Sequence, residues 1–381
     1  MSSDLIELLE SVKSYFGWVP EAYWPAISVF LAIVILIGTV VDRTSAIINA
    51  FRSILRSFRK QKPNPVIREP VRVLRAVWLR DRDIRPSTRV RTGKDGIPII
   101  SFINMKGGVG KTTLSANIGA HFLSKGLRVL FIDFDYQGSL SLMVASAAGV
   151  DRLEANSDLL LQDTDYADVK RKVHRFHKID KAGLFAAHYI LFREEMELFA
   201  NWVGNNSHYD IRYALRKITT SNDFQKDWDI VIIDCGPRFT TSTINALCAS
   251  THVVIPTILD EPSTQAVGYL SKEFDDHKIE LFPDLKLLGV VPTMISQDPE
   301  NSTAPRFSKT EKEQLEAVED WIARTWDVKD GVLYSARIPD RASISKSADR
   351  IAYLTQSEAK RVFGRAGDIL LKRLRNEDYR V

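Results

Sequence analysis

The chain has 381 residues, of which 45% are apolar and 26% are charged, and this composition excludes an intrinsically disordered protein. Its two cysteines, Cys235 and Cys248, offer no disulfide framework and are expected to be reduced and packed in the core. The formal net charge is +4, yet residues 1–91 hold 15 Lys and Arg against 8 Asp and Glu, whereas the rest of the chain holds 37 against 40. The positive excess therefore lies in the N-terminal quarter.

An uncharged run of 16 residues, Ala26–Val41, is the first element of the chain. A helix of about 20 residues spans the roughly 30 Å hydrocarbon layer of a bilayer, so residues 23–41 are predicted to form a single transmembrane helix. Trp18 and Trp24 favour the headgroup zone, and basic residues from Arg43 onward are typical of the cytoplasmic side. The sequence predicts a short extracytoplasmic N-terminus at residues 1–22, and the rest of the chain inside the cytoplasmic (inner) membrane.

This run has two other interpretations. A cleavable signal peptide needs a basic start and a small-residue cleavage site, whereas this chain opens with "MSSDLIELLE" and has no such site after the run. A buried core helix remains the other alternative, although the run has no polar face. We expect a membrane anchor.

Residues 42–96 are predicted to form a basic juxtamembrane helix and a linker. Apolar residues recur at helical spacing from Ile47 to Phe58, with arginines between them, which is typical either of a helix on anionic headgroups or of a solvated basic stalk. The stretch "KPNPVIREP" predicts an extended linker because its prolines restrict the backbone. A strand or a helix is expected at Val71–Leu79.

Residues 97–381 show the pattern of an α/β domain. The apolar runs "IPIISFIN", "LRVLFIDFD", "DIVIIDC", "HVVIPTI" and "LKLLGVVPT" are separated by segments of helix length. This alternation predicts a doubly wound, mostly parallel sheet covered by helices on both faces. A helix is predicted at Lys111–Ser124, ended by Gly126.

The stretch "GGVGKTT" follows a predicted strand and opens a predicted helix, as a phosphate-binding loop does. Backbone N–H groups of such a loop point at phosphate oxygens, the lysine reaches the β- and γ-phosphates, and the hydroxyl after it coordinates Mg²⁺. ATP and Mg²⁺ are therefore the predicted cofactors. The predicted nucleotide-binding residues of the loop are Gly107, Gly108, Val109, Gly110, Lys111, Thr112 and Thr113.

A second lysine, Lys106, directly precedes the first glycine, and with it the chain resembles the ParA/MinD family of deviant Walker ATPases from about Pro98 to Leu374. The resemblance implies that Lys106 crosses a homodimer interface and touches the ATP phosphates of the other subunit. A cation delivered in this way makes the charge at the transferring phosphoryl group depend on dimerisation. A solvated surface lysine is the alternative.

Further motifs carry the resemblance. "FIDFDYQGSLS" is similar to the family's switch I, which implies that Asp135 orients the attacking water and that Asp133 lies close to the metal. "WDIVIIDCGPRF" resembles the Walker B strand and implies that Asp234 and Thr112 hold Mg²⁺. Lys106, Lys111 and Asp135 are thus the predicted catalytic residues. The chain departs from the family by Tyr136 and Gly236, where proline is usual.

Two C-terminal motifs resemble the segments that border the purine in the family. "VVPTM" implies that Pro292, Thr293 and Met294 lie beside the base, and "SARIPDRASISKS" implies the same of the backbone at Pro339. The stretch "TTSTINALCASTHVVIPTILDEPSTQAVGYL" is similar to a family segment that covers the sheet after the Walker B strand and contributes to the dimer face.

Two related activities and a zinc site fit the sequence less well. Cys235 and Cys248 do not match the spacing of the nitrogenase iron protein, and the C-terminal tail has one tyrosine where bacterial tyrosine kinases have many. His174 and His177 have the spacing of a metal pair, but a solvated helix face explains them better than zinc. The stretch "LFAAHYILFREEMELFANW" is interpreted as one helix.

Partners follow from these features. We expect an ATP-dependent homodimer, a membrane, an unidentified protein partner, and weak nonspecific DNA binding at most. The DNA interpretation depends on a basic C-terminal stripe made of Lys360, Arg361, Arg365, Lys372, Arg373 and Arg375.

The sequence favours a nucleotide-gated switch subunit of a membrane-associated bacterial assembly for export, envelope or defence. A positioning ATPase for DNA or protein cargo is the alternative. A purely structural ATP site is disfavoured by the intact Lys106, Asp135 and Asp234.

Overall fold

A computed structural model of the protein describes residues 77–79, 89–296, 307–326, 328, 330–341, 344 and 350–381. These residues belong to one compact unit, Val71–Val381. The predicted N-terminus and transmembrane helix, residues 1–41, lie outside the described residues, as does most of the predicted basic region. No helix within the described part of the chain has the length and apolar character needed to span a bilayer.

The described residues form one seven-stranded sheet in the order β3-β4-β2-β5-β1-β6-β7. All neighbouring strands are parallel except β3, which is antiparallel to β4 at one edge. The strands are β1 Ile99–Phe102, β2 Val129–Phe134, β3 His174–Arg175, β4 Ala182–Phe185, β5 Ile230–Cys235, β6 His252–Ile258 and β7 Lys286–Thr293. The predicted mostly parallel sheet is confirmed.

Helices cover both faces of the sheet, as a doubly wound fold requires. They are α1 Lys111–Ser124, α2 Ser139–Ala148, α3 Tyr166–Val169, α4 Tyr189–Val203, α5 Ala214–Thr219, α6 Asn222–Asp227, α7 Thr241–Ala249, α8 Glu261–Leu281, α9 Lys309–Trp326, α10 Ala352–Thr355 and α11 Ser357–Asn376. Helices α1, α2 and α11 share one apolar cluster with residues such as Phe131, and α7, α8 and α9 share the other with residues such as Phe274.

The strands are buried on both faces, which explains why the sequence reads as continuous apolar runs without alternation. Because β1 lies between β5 and β6, the loops after β1, β2 and β5 converge at the carboxyl edge of the sheet. The register aligns Phe102 and Asp133 with Asp234. The topology therefore brings the predicted phosphate loop and the predicted acidic residues together.

Two predictions about the middle of the chain are wrong. The stretch interpreted as one helix contains the end of strand β4 before helix α4 begins at Tyr189. His174 lies in strand β3, not on a helix face, and its Nε2 contacts the carbonyl oxygen of Glu154 at 2.8 Å. Short apolar or mixed runs do not distinguish a strand from a helix by periodicity, and here tertiary packing decides.

Candidate nucleotide-binding site

The glycine-rich loop joins β1 to α1 in the conformation that its sequence demands. Gly108 and Gly110 have φ angles of 77° and 85°, a left-handed region that favours glycine. Helix α1 begins at Lys111, and its first backbone bond runs from Leu114 N to Gly110 O at 2.8 Å. The start of the helix therefore lies directly behind the loop, where helix N-termini bind phosphate.

The Lys111 ammonium is buried under this loop, with 7% of the residue exposed. Its Nζ donates to the carbonyl oxygen of Lys106 at 2.9 Å. Burial lowers the pKa of Lys111, while the nearby carboxylates of Asp234 and Asp135 oppose that shift. A buried cation with a backbone carbonyl as its hydrogen-bond acceptor is electrostatically unsatisfied, so a phosphate oxygen would stabilise it strongly.

Thr112 and Asp234 lie together, as predicted for the metal site. Thr112 Oγ1 donates to Asp234 Oδ2 at 2.6 Å, and Asp234 Oδ1 is buried with no hydrogen-bond donor among the described residues. Burial and the neighbouring Asp133 raise the pKa of Asp234 well above its usual range. An orphaned buried carboxylate oxygen beside a hydroxyl fits Mg²⁺, which prefers oxygen ligands.

Asp133 is fully buried beside Asp234 and organises the loop that follows β2. Its Oδ2 accepts from Ser141 N at 2.8 Å and from Ser141 Oγ at 2.7 Å, and its Oδ1 accepts from Asp135 N at 3.1 Å. Burial raises the pKa of Asp133 to about 7 despite these bonds. Both oxygens hold protein groups in this arrangement, so a role of Asp133 near the metal stays a prediction.

Asp135 begins the loop whose sequence resembles the family's switch I. Its Oδ1 accepts from Gln137 N at 3.1 Å, and a Cβ placed on Gly236 would lie 3.7 Å from its carboxyl carbon. The loop after β5 therefore passes directly beside Asp135. Next along the chain, the Tyr136 ring packs on Phe192 of α4 with the ring centroids 5.6 Å apart. An aromatic contact holds the loop at the position where relatives commonly have proline.

The Lys106 side chain is partly exposed and is paired with its own chain. Its Nζ donates to both carboxylate oxygens of Asp260 at 3.2 Å and to Ser263 Oγ at 2.8 Å, at the first turn of α8. Asp260 is also the N-cap of that helix and accepts from Ser263 N at 2.8 Å. The lysine side chain retains 30% exposure and that of Asp260 retains 45%. Such an exposed ion pair is weak, so the lysine is held in a place from which it is easily withdrawn.

The residues predicted to border the purine lie next to the glycine-rich loop. Thr293 Oγ1 donates to Val109 O at 2.9 Å, and Met294 has a positive φ angle of 55° and is partly exposed. The segment at Pro339 joins the same strand end, because Ile338 N donates to Pro292 O at 2.8 Å and Ile295 N donates to Ile338 O at 3.2 Å. The structure thus brings the two distant motifs together in one wall of the site.

Other candidates from the sequence lie elsewhere. Cys235 and Cys248 are buried free thiols, as predicted. In the described part of the chain, no group of three or more His, Cys, Asp or Glu side chains is arranged around a common metal position. Arg238 follows the Walker B strand and is exposed, with its carbonyl oxygen accepting from Thr243 Oγ1 at 2.6 Å.

Sequence reasoning missed four polar groups near the site. Asp260 and Ser263 hold Lys106, Ser141 holds Asp133, and the buried Glu195 of α4 accepts from Ser242 N at 2.7 Å at the start of α7. The sequence "DEPS" at Asp260 is an N-cap signature and predicts the start of α8. Its link to Lys106 joins residues 154 positions apart, which no local pattern reveals.

The fold and the site define a P-loop nucleotide-binding domain, and the comparisons with known proteins agree. Residues 97–287, half of the chain, match the AAA_31 family, described as an AAA domain. The sporulation initiation inhibitor protein Soj of Bacillus subtilis is 31% identical over 200 residues, covering 52% of this chain and 72% of that protein. The chromosome-partitioning ATPase Soj of Thermus thermophilus is 32% identical, covering 51% and 68%. This chain therefore belongs to the ParA/MinD family of P-loop ATPases.

Solved structures show the same fold. Cobyrinic acid a,c-diamide synthase from Mycobacterium smegmatis, with a bound ATP analogue and magnesium, has a TM-score of 0.54 at 26% identity and covers 73% of this chain and 96% of that one. An ATP complex of a McdA variant from Cyanothece has a TM-score of 0.55 at 18% identity, covering 73% and 96%. At that identity the second likeness concerns the fold alone.

Proposed function

We propose that this protein is a membrane-anchored, Mg-ATP-dependent ATPase that dimerises around its nucleotide and acts as a switch subunit of a membrane-associated bacterial assembly. The observation that carries the proposal is the position of Lys106, beside the glycine-rich loop and held by a weak ion pair to its own chain. A lysine that only balanced charge would not need a releasable partner. We interpret the Lys106–Asp260 contact as the position that the lysine occupies before it moves to the nucleotide of a second copy.

Different side chains bind the phosphates, hold Mg²⁺ and orient the attacking water. The loop N–H groups and Lys111 hold the phosphates, and Thr112 and Asp234 would hold Mg²⁺, which neutralises phosphate charge. Asp135, at the loop beside Gly236, orients the attacking water. Asp135 lies within a polar loop and no strong general base accompanies it, so turnover depends on positioning and charge and is expected to be slow.

The membrane part of the proposal rests on residues 23–41, whose apolar length suffices to cross a bilayer. Relatives that partition chromosomes carry that role in their names. A chain held permanently in the inner membrane cannot cycle on and off a surface. We therefore favour a switch in which dimerisation recruits or licenses a protein partner, with the ATPase domain on the cytoplasmic side.

Lys106→Ala tests this proposal. We expect ATP affinity to stay within about fivefold of wild type, because ordinary surface pairs contribute less than about 1 kcal/mol. ATP-dependent dimerisation, measured by light scattering of the detergent-solubilised full chain, should be lost. Lys309→Ala, which removes a highly exposed lysine of α9, is the matched control and should dimerise normally. Wild-type dimerisation in Lys106→Ala would refute the in-trans role.

The second candidate, a positioning ATPase that binds DNA, is favoured by one surface. Lys360, Arg361, Arg365 and Lys372 of α11 line a groove of about 620 Å³. Arg373 and Arg375, the rest of the predicted stripe, do not line this groove, and they donate to Leu288 O at 3.1 Å and to Val381 O at 2.5 Å. Arg365 lines the groove while its Nη2 donates to Arg337 O at 3.2 Å. The continuous stripe of six residues is therefore reduced to four that share one surface.

Salt dependence separates the two candidates. If the groove binds DNA, retention of the full chain on duplex DNA should fall steeply with salt, and the double substitution Lys360→Glu and Lys372→Glu should reduce the logarithmic slope by roughly 2. Retention that is absent at low salt, or unchanged by the double substitution, would leave the membrane switch as the supported function.

A further inference from the structure

Helix α4 contacts the loop after β2 and the first turn of α7, and it also contacts residues 77–79, which follow the predicted membrane anchor along the chain. We infer that α4 couples the nucleotide state to the docking of Trp78, so that the ATP-bound dimer loosens the attachment of the N-terminal region to the ATPase domain. The inference rests on the proposed function. It adds a coupling element and a docking residue that the family resemblance does not imply.

The first contact is with the loop after β2. Phe192 of α4 packs on Tyr136, one residue after Asp135, and on Tyr189 at the start of the helix, with ring centroids 5.6 Å and 5.7 Å apart. The ring pair is the packing contact that this loop makes directly beside the residue predicted to orient water. A shift of the loop around ATP therefore presses on, or withdraws from, the first turn of α4.

The second contact is with the helix that follows Asp234. Glu195 is 6% exposed, and its carboxylate accepts from Ser242 N at 2.7 Å in the first turn of α7. A carboxylate at a helix N-terminus satisfies a free N–H group and complements the helix dipole. One buried side chain thus ties α4 to the segment that starts directly after the Walker B strand. The loop after β2 and the start of α7 therefore share a single support.

The third contact is at the other end of α4, where residues 77–79 dock. Trp78 is 1% exposed, and its ring packs on Phe199 with centroids 5.6 Å apart. Trp202 Nε1 donates to Val77 O at 3.2 Å, and Arg212 Nη1 donates to Trp78 O at 2.5 Å. Trp78 is fully buried and its carbonyl oxygen accepts a hydrogen bond, so it holds residues 77–79 in place, although it lies near the border of the compact unit at Val71.

The distance between the two ends suits mechanical transmission. Phe192 and Phe199 are seven residues apart, which is two helical turns or about 10 Å along the axis. Close-packed interiors transmit small displacements because side chains have no space in which to absorb them. A rearrangement of the nucleotide loops can therefore reach the Trp78 pocket through one rigid helix.

The Trp78–Phe199 contact and the contact of Lys106 with Asp260 of its own chain occur in the same arrangement of the site. The direction that we propose is that docking of residues 77–79 favours this arrangement of the nucleotide loops. By thermodynamic reciprocity, nucleotide binding that changes those loops weakens the docking by the same factor.

A thiol at position 79 measures the docking directly. Leu79 is partly buried against the same core, and the native Cys235 and Cys248 are buried and expected to react slowly. In the full-length Leu79→Cys protein carrying Asp135→Ala to trap ATP, maleimide should label residue 79 at least about fivefold faster with Mg-ATP than with Mg-ADP. Equal rates in the two states would overturn the inference.

Substitution of Trp78 tests the coupling in the reverse direction, from the docked segment to the nucleotide loops. Trp78→Ala should speed hydrogen exchange of residues 135–142 in the ligand-free protein by at least about fivefold and change the turnover number more than KM. Trp78→Phe should restore both. Trp326→Ala removes a buried tryptophan that packs on Phe274 at the end of α9, and should lower thermal stability without changing exchange at residues 135–142.

The outcomes separate the two proposals. Faster exchange confined to residues 199–213 in Trp78→Ala, with normal turnover, would mean that Trp78 only packs locally and would overturn the coupling. ATP-dependent dimerisation is measured in the same preparations. If the wild type forms no ATP-dependent dimer, the proposed function and the coupling both fail. If it does and neither arm responds, the coupling alone fails.

Discussion

Ionisable side chains are buried both at the carboxyl edge of the sheet and near the far end of α4. The two regions differ in whether these side chains have hydrogen-bond partners. At the edge, Asp133 and Asp234 are adjacent and fully buried, burial raises the pKa of both, and Asp234 Oδ1 has no donor among the described residues. At the far end of α4, Arg212 forms a two-bond fork to Asp210 at 2.8 Å and 2.6 Å.

This difference separates binding from support. Charges that fold without partners cost stability and are retained where a ligand completes them, whereas charges that are fully paired fix the shape of the protein. By this criterion the edge is the nucleotide site. The Arg212 region is a structural joint, and it holds the backbone of Trp78 as well as its own neighbour. Each of the following substitutions tests one side of the comparison.

Arg212→Ala has the largest expected effect. It leaves the Asp210 carboxylate buried and unpaired, and such a loss costs about 3–5 kcal/mol. The free energy of unfolding, measured with urea, should fall by that amount, while the ATP affinity of the remaining folded protein should change by no more than the roughly fivefold factor expected from the Trp78 coupling. The paired substitution Asp210→Asn with Arg212→Met removes both charges and should recover most of the stability. A single variant as stable as wild type would contradict the structural role of the fork.

Lys111→Ala should show the opposite behaviour. A charge-assisted hydrogen bond to phosphate contributes about 1.5–3 kcal/mol, so ATP affinity measured by calorimetry should fall by roughly 10- to 150-fold. The ligand-free protein should be no less stable than wild type, because Lys111 is buried without a carboxylate hydrogen bond. A loss of stability without a loss of affinity would mean that Lys111 supports the fold.

Asp234→Asn has the smallest expected effect of the three substitutions, and that effect depends on pH. In the unfolded chain Asp ionises near pH 4, whereas the folded pKa of Asp133 is about 7 and that of Asp234 is raised. The folded state therefore binds protons more tightly, and the stability that this provides is lost as pH rises from about 4 to about 7. Asp234→Asn removes one interacting charge and should raise the melting temperature at pH 8 more than at pH 5.

The expected gain is roughly 2–4 °C per kcal/mol for a domain of this size. The additional stabilisation that Mg²⁺ gives in the presence of ATP should be lost in the same variant. The matched control is Asp151→Asn, which changes an exposed carboxylate and should alter neither quantity. A melting temperature lowered at pH 8 would show that the Asp234 carboxylate stabilises the fold.

Local signals made much of the site predictable. Helix α1 begins at Lys111 and ends at Ser124 as the sequence predicted, because glycines, an N-terminal loop and a stop signal coincide there. The parallel sheet followed from apolar runs separated by segments of helix length. Since parallel strands end at a common edge, the meeting of the loop with Asp133 and Asp234 followed as well.

The remaining features depend on contacts that sequence spacing does not encode. Lys106 contacts Asp260 because strands β1 and β6 are neighbours in the sheet. Trp78 contacts Phe199 and Arg212 because residues 77–79 pack against the end of α4. Strand β4 was missed because its residues Ala182–Phe185 run directly into the apolar start of α4. Neither a propensity nor a period distinguishes such a short buried strand from the helix that follows it.

The central claim is that Lys106 leaves its own chain for the nucleotide of a second copy. The most direct measurement is a structure of the full-length Asp135→Ala protein with Mg-ATP. We predict a dimer in which Lys106 Nζ has left Asp260 and lies within hydrogen-bond distance of the phosphates bound by the partner subunit. A nucleotide-bound single protomer that keeps the Lys106 contact to Asp260 would contradict the account.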